Sequence, residues 1–179
     1  MKTLFLSFVT IVMMMATASD VFAQKGTEMA PLPHKAENLD LYDLNNKITK
    51  LPYYGEKNIL VFYVDPDRYR QNDAFTHEME ENKKAAGPNI EGFGIINLKD
   101  TMFPNSIVRA LARHRTAKNG ATIITDPDGT VAKQWQLGDC NNVFMIMIIT
   151  KEGELVYCSK GELTYEEQQE FYRVVDKYR

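Results

Sequence analysis

The chain has 179 residues, of which 44% are hydrophobic, 11% aromatic and 25% charged. This composition is typical of one globular domain and excludes a low-complexity or collagen-like chain. With 21 Lys and Arg against 24 Asp and Glu the net charge is −3, so no basic excess favours nucleic-acid binding. Two cysteines are too few for a disulfide-dense scaffold or a four-cysteine zinc site.

Residues 1–23 are typical of a secretory signal peptide. Lys2 precedes an apolar run over residues 4–16, and Val21 and Ala23 occupy the two positions that signal peptidase recognises. A membrane anchor needs about 20 apolar residues, and this run is shorter, so no stable membrane anchor is expected. We expect cleavage after Ala23 and a periplasmic or secreted product. No cysteine follows Ala23 to accept a lipid.

The mature chain is expected to begin with a loosely ordered lead-in over residues 24–38, which holds two prolines and few large apolar groups. A single domain then covers residues 39–179. Residues 39–51 alternate around Asn45-Asn46, which predicts a β-hairpin. The apolar run over residues 58–64 predicts a strand buried on both faces.

Helices and strands then alternate. Residues 73–84 predict a helix with Phe75 and Met79 on its buried face, and residues 92–98 predict a second buried strand. Pro104 opens a longer helix. Its predicted inner stripe is Ile107, Val108, Leu111 and Ala112, and its predicted outer residues are Arg109 and Arg113.

The last part of the chain predicts a third central strand, a hairpin and a terminal helix. Residues 121–125 form the strand, which ends at the turn over residues 126–129. Residues 143–150 and 154–159 flank a turn and predict an antiparallel hairpin. Thr164 with Glu167 three residues later is a capping box. The predicted core side of this helix carries Phe171, Val175 and Tyr178.

This element order predicts a three-layer α/β domain on a mixed sheet, with parallel central strands and a C-terminal antiparallel hairpin. It resembles the thioredoxin-like fold, particularly at the strand within residues 55–67 and in the final strand–turn–strand–helix. More narrowly, residues 121–139, 147–167 and 96–113 resemble the YtfJ-type family of exported bacterial proteins. The resemblance implies a thioredoxin-like periplasmic domain with no established activity.

Dithiol chemistry is not expected from the loop where this fold would place it. Thioredoxin-like redox proteins carry two cysteines, spaced by two residues, after the first central strand. The equivalent residues 65–70 contain no sulfur, and no proline stands near Asn141 and Asn142, where the fold's cis-proline would fall. Exchange needs a nucleophilic thiolate and a resolving thiol, so we predict no dithiol oxidoreductase activity.

Cys140 leaves one redox alternative open. It lies just before the strand over residues 143–150, close to the loop that carries Asp67 in the predicted fold. A lone thiol there is a candidate peroxidase-like nucleophile, with Arg68 or Arg70 lowering its pKa. The other interpretation is a small, partly buried residue without reactivity. Cys158 is expected in the core, opposite Met147 and beyond disulfide reach of Cys140.

No metal or cofactor is predicted. Asp65, Asp67, Asp126 and Asp128 lack EF-hand spacing and are typical of turns. His34, His77 and His114 have no Cys or His partner at metal-ligand spacing.

Function is expected where the carboxyl ends of the parallel strands converge. The predicted ligand or partner face consists of Asp65, Asp67, Arg68, Tyr69, Arg70, Asp139, Asn141 and Asn142. We therefore expect a non-catalytic exported domain that binds a periplasmic protein or a small ligand there. A redox enzyme using Cys140 and a purely structural accessory domain are the alternatives. The basic run over residues 109–118 is expected to be a solvated helix end, with docking of an anionic partner as its alternative.

Overall fold

The computed structural model describes residues 28–179, so the predicted signal peptide lies outside the described residues. The strands of the described part are β1 (His34–Lys35), β2 (Leu41–Tyr42), β3 (Ile48–Thr49), β4 (Asn58–Val64), β5 (Ile90–Asn97), β6 (Ile123–Asp126), β7 (Phe144–Ile149) and β8 (Glu154–Lys160). Its α-helices are α1 (Asp73–Glu81), α2 (Asn105–Asn119), α3 (Thr130–Gln134) and α4 (Tyr165–Tyr178).

All the strands belong to one mixed sheet with the order β1-β8-β7-β4-β5-β6-β2-β3. β4, β5 and β6 are parallel, and β7 runs antiparallel to both β4 and β8. The hairpin predicted over residues 39–51 is present as β2 and β3, with Asn46 at a φ of 63° in its turn. Asparagine tolerates this left-handed conformation better than most residues. The predicted mixed sheet is confirmed.

Alternate side chains of β4 enter two separate cores, as a strand covered on both faces requires. Ile59, Val61 and Tyr63 pack on one face with Trp135 and other side chains from the segments around α3. Leu60 packs on the other face with side chains of α1 and α4. The sheet is therefore the middle of three layers.

Helix α4 begins as predicted. Glu167 N–H donates to Thr164 Oγ1 at 3.2 Å, and Thr164 N–H donates to Glu167 Oε2 at 2.7 Å. This reciprocal pair satisfies two amides that helix geometry leaves free. The Phe171 ring then packs edge-on against Phe75 of α1, with centroids 5.4 Å apart.

The lead-in is more ordered than the sequence indicates. Residues 34 and 35 form β1, which pairs with β8, and Ala36 is fully buried. The Trp135 indole N–H donates to the Glu37 carbonyl at 3.0 Å, and the His34 ring Nε2 lies 2.7 Å from the Trp135 carbonyl. The expectation of a loose segment is wrong for residues 34–38, because they cover the sheet face that packs Trp135.

Helix α2 buries a narrower stripe than predicted. Val108 and Ala112 are buried, but Ile107 and Leu111 are exposed. Prediction of an inner position for these two residues is therefore wrong. The helix contacts β6, third from the edge of the sheet, and buries only the side that carries Val108 and Ala112. None of the described helices combines the length and apolar character needed to cross a membrane.

Candidate functional site

The Asp65 carboxylate holds together the two loops that the sequence predicts to converge. Asp65 follows β4 directly and is only 1% exposed. One of its oxygens accepts the Asp67 N–H at 2.9 Å, which fixes the 3-10 turn over Pro66–Arg68. The other accepts the Asn142 N–H at 2.8 Å. Asp65 is therefore a positioning residue, and its predicted place on the exposed face is wrong because both oxygens point inward.

Two more polar side chains, which the sequence analysis missed, fix the same region. Gln71 Oε1 accepts the N–H of Phe144, the first residue of β7, at 2.9 Å. Asn72 is buried, donates to the Gly161 carbonyl at 2.8 Å and accepts the Leu163 N–H at 3.0 Å. In the sequence, only the position of Gln71 and Asn72 between a turn and a helix indicated that their side chains bind backbone groups.

Three residues of the predicted face, Asp139, Asn141 and Asn142, lie in the loop that Asp65 binds. Asp139 Oδ1 accepts the Asn141 N–H at 3.0 Å, and the Asn142 amide donates to Asn141 Oδ1 at 3.0 Å. Lys160 of β8 donates to the Asp139 carbonyl. All three side chains are exposed, so this loop presents amide and carboxylate groups to solvent.

Arg70 of the predicted face lies over the Tyr69 ring. The guanidinium carbon of Arg70 lies 5.3 Å from the Tyr69 ring centroid. Arg115 of α2 approaches the same ring at 4.8 Å. These are cation–π distances. Arg115 was not predicted to belong here, because the sequence does not show that α2 reaches the loop after β4.

Cys140 is a buried thiol with little tendency to ionise. Its Sγ lies 3.5 Å from Met145 Sδ. Burial raises its pKa to about 11; nearby Lys160 opposes that shift, and Asp139 adds to it. At that pKa roughly one thiol in ten thousand is ionised at pH 7. The predicted lowering of the pKa by Arg68 or Arg70 is therefore wrong.

Cys158 lies opposite Met147 in the β7–β8 ladder, as predicted. Burial raises its pKa to about 12. Both cysteines are free thiols.

A polar cavity of about 260 Å³ opens at the carboxyl ends of β4, β5 and β6. Its lining residues are Tyr63, Asn97, Lys99, Asp100, Gly129, Ala132, Gly138, Asp139 and Cys140. Only Asp139 and the alternative Cys140 belong to the predicted site. The other depression of note, on the outer side of α1, is lined by that helix alone and is open to solvent.

Hydrogen bonds fix the polar groups of this cavity. Asn97 is buried, donates to the Cys140 carbonyl at 3.1 Å and accepts the Lys99 N–H at 3.1 Å. The Tyr63 hydroxyl donates to Asp126 Oδ2 at 3.1 Å. Burial and the neighbouring Asp126 carboxylate raise the pKa of Tyr63, so its hydroxyl stays protonated.

The mouth of the cavity carries charges of both signs. Lys99, Asp100 and Asp139 are all exposed there. Gly129 has a φ of 67°, and a Cβ added to it would lie 2.5 Å from Lys99 Cδ. The glycine thus permits both the turn and the close passage of the lysine stem.

Two other polar candidates make local contacts. Asp126 accepts the N–H groups of Thr130 and Val131 at 2.8 and 2.9 Å, which confirms its predicted role in a turn. His77 lies 3.9 Å from Glu81 on the same helix. Within residues 28–179 no three His, Cys, Asp or Glu side chains are grouped to hold a metal ion.

Comparisons with known proteins identify the fold. No family model and no curated protein matches the sequence. Among solved structures, a DsbF homologue from Corynebacterium diphtheriae is 15% identical, with a TM-score of 0.57 over 86% of this chain and 94% of that chain. A candidate thioredoxin from Neisseria meningitidis is 18% identical, with a TM-score of 0.54 over 79% and 89%. The chain has a thioredoxin-like fold.

A third neighbour is a reduced 2-Cys peroxiredoxin from Plasmodium vivax, 12% identical, with a TM-score of 0.50 over 80% of this chain and 93% of that chain. Identities this low establish the fold and not the chemistry. The predicted thioredoxin-like architecture is confirmed, and the loop after β4 differs from a dithiol site because residues 65–70 include no cysteine.

Proposed function

We propose that this chain is a non-catalytic, exported thioredoxin-like domain that binds a small polar ligand in the cavity beside Cys140. The observation that carries the proposal is the position of the cavity, at the carboxyl ends of three parallel strands. Loops converge at this edge of open α/β sheets, and ligands bind there in many of them.

The size and charge of the cavity indicate the class of ligand. At about 260 Å³ it falls just below the usual range of about 300–1,000 Å³ for ligand pockets, so the ligand is smaller than a nucleotide. Lys99 can pair with an anionic group of a ligand, and Asp100 and Asp139 with a cationic one. A small zwitterion or a polar molecule with both donors and acceptors fits these charges.

The state of the thiols supports a non-catalytic role. Neither cysteine lies in the loop after β4, and burial raises the pKa of each well above neutrality. Thiol catalysis depends on the thiolate. The structural neighbours whose names indicate redox activity share the fold of this chain. The raised pKa values of its two thiols favour a binding role over thiol catalysis.

Compartment and family form part of the same proposal. The sequence of residues 1–23 supports export and cleavage after Ala23. The resemblance of residues 121–139 and 147–167 supports membership of the YtfJ-type family. The intact mass of protein recovered from the native periplasm is expected to correspond to residues 24–179, and a mass that includes residues 1–23 would contradict this.

A peroxidase-like activity of Cys140 is the second candidate. Cys140 lines the cavity, and a peroxiredoxin is among the structural neighbours. In such a step the thiolate attacks a peroxide oxygen, the cysteine becomes a sulfenic acid, and the peroxide is reduced to water or an alcohol. An external thiol must then reduce the sulfenic acid.

Native mass spectrometry of protein purified from the periplasm tests the ligand proposal. Ala132→Met fills the cavity, and Ala74→Met makes the same change on the exposed side of α1. We expect wild type and Ala74→Met to retain the same small-molecule adduct and Ala132→Met to lose it. Absence of any adduct from wild type, or an adduct retained by Ala132→Met, would contradict the proposal.

The second candidate has its own test. Peroxide consumption with a reducing thiol is compared between wild type and Cys140→Ser. Turnover above background that disappears in Cys140→Ser would replace the binding proposal with the peroxidase-like one.

A further inference from the structure

Helix α2 exposes apolar side chains that the domain does not use. Ile107 and Leu111 are 50% and 58% exposed, and Phe103, just before the helix, is 52% exposed. Ile107 and Leu111 are four residues apart, so they lie on one side of the helix. Large apolar groups exposed together are typical of contact surfaces.

Towards its C-terminus, the same side of α2 carries a cationic side chain. Arg115 is the next residue in the four-residue spacing after Leu111, about 12 Å along the axis from Ile107. Its guanidinium lies on the Tyr69 ring, and Arg70 approaches that ring as well. We call Ile107, Leu111, Arg115, Tyr69 and Arg70 the α2 stripe.

The cations of the α2 stripe are not neutralised within the domain. Among residues 28–179, no carboxylate lies within salt-bridge distance of Arg70 or Arg115, nor of the adjacent Arg68. This local excess stands out in a chain whose net charge is −3. Arginine and tyrosine are also the residue types that contribute most at protein interfaces.

We propose that the α2 stripe docks an acidic amphipathic segment of another protein. Apolar side chains of that segment would cover Ile107 and Leu111, and carboxylates following them would pair with Arg115 and Arg70. Guanidinium groups bind carboxylates through two parallel hydrogen bonds, which gives the contact both strength and direction.

Charge favours this partner over a second copy of the chain. Two copies packed stripe against stripe would oppose arginine with arginine, because no stripe residue and no residue of α2 is acidic. The vesicle measurement below separates the acidic segment from an anionic membrane surface. The α2 stripe shares no residue with the cavity lining, so this proposal stands independently of the one for a small ligand.

Fluorescence anisotropy with a designed probe tests the proposal. The probe is a labelled helical peptide of about 16 residues, with Leu at every fourth position of its first half and Glu on the same face of its second half. A scrambled peptide and a peptide with Lys in place of Glu are the control ligands. We expect the mature chain to bind only the Glu probe, and to bind it less tightly as salt rises.

Substitutions in the α2 stripe test whether it is the surface that binds the probe. Leu111→Ser and Arg115→Ala are each expected to weaken binding at least about tenfold, and Arg115→Ala also to reduce the salt dependence. Tyr165→Ser and Arg173→Ala change one apolar residue and one cationic residue, paired with Glu170, that are exposed on α4. These matched controls are expected to bind like wild type.

Several outcomes would overturn the proposal. One is failure to bind the Glu probe, and another is equal binding of the scrambled or Lys peptides. Sedimentation that shows a dimer lost in Leu111→Ser would assign the stripe to a second copy. Binding to phosphatidylglycerol vesicles, lost in Arg115→Ala and without binding of the Glu probe, would assign it to a membrane surface.

Discussion

Asp65 and Asn142 are 77 residues apart in the sequence, yet a hydrogen bond of 2.8 Å joins the carboxylate of the first to the backbone N–H of the second. The bond links the end of β4 to the loop that precedes β7. Asn142 has a φ of 54°, in the left-handed region, and its backbone N–H takes the Asp65 side chain as its acceptor. The Asp65 carboxylate therefore positions the loops of the candidate site and is itself buried away from any ligand.

Asp65→Ala is expected to destabilise the fold by about 2–3 kcal/mol, because two N–H groups, of Asp67 and Asn142, lose their acceptor. Urea unfolding followed by circular dichroism measures the change. Asp67→Ala is the control, since the Asp67 carboxylate accepts no hydrogen bond from residues 28–179. Its free energy of unfolding should stay within about 0.5 kcal/mol of the wild-type value. Equal effects of both substitutions would show that Asp65 does not hold the loops together.

Alkylation of Cys140 is expected to be slow at neutral pH. In a Cys158→Ser background, the rate with iodoacetamide should keep rising about tenfold per pH unit between pH 7 and 10, because the pKa is raised to about 11. The urea-unfolded chain should level off near its ordinary pKa of about 8.5. A plateau of the native rate at or below pH 7 would instead indicate an activated thiol.

The same pKa predicts how stability depends on pH. A thiol is neutral when protonated, so a folded-state pKa of about 11, above the unfolded value of about 8.5, means that the folded chain retains the proton more firmly. This contribution is complete below pH 8.5 and is lost as pH rises towards 11. Cys140→Ser should therefore show a shallower loss of unfolding free energy above pH 8.5 than wild type.

Tyr63→Phe is expected to cost about 1 kcal/mol, because it removes the hydrogen bond to Asp126 while the ring stays in place. Thermal unfolding measures the loss. Tyr42→Phe is a fair control, since the Tyr42 hydroxyl has no partner among the described hydrogen bonds. If the two variants unfold at the same temperature, the Tyr63 bond contributes nothing to stability.

Ala36→Glu is expected to destabilise the domain by at least about 3 kcal/mol, because the Ala36 side chain is fully buried against the core. Glu37→Ala changes the next residue, which is exposed, and should be neutral. Denaturant unfolding compares the two. A neutral result for both would restore the loosely ordered lead-in that the sequence indicates.

Much of the fold follows from local pattern. The apolar run that follows Asn58 and the capping box at Thr164 locate β4 and the start of α4 to within a residue. Such signals are local and do not depend on distant neighbours. The exposure of Ile107 and Leu111 is different, since it depends on how much of α2 the sheet covers, and spacing along one helix carries no information on that.

The candidate site could likewise be predicted in part, because some of its features follow from local pattern and others only from three-dimensional packing. The rule that loops converge at the carboxyl ends of parallel strands brought residues 65–70 and 139–142 together correctly. It did not reveal Tyr63 or Asn97, because both lie inside apolar runs and look like core residues. Their hydroxyl and amide groups become cavity lining only through three-dimensional packing, which places Asp126 and Cys140 beside them.

The contact between Trp135 and the segment before β2 has an optical consequence. Trp135 is the single tryptophan of the chain, its indole N–H is bound to the Glu37 carbonyl, and its own carbonyl lies against His34. Its emission therefore reports on the attachment of residues 34–37 as well as on the core side chains around the ring. Release of that segment would shift the emission to the red even while the central strands stay folded, so ordinary fluorescence can separate the two events without any label.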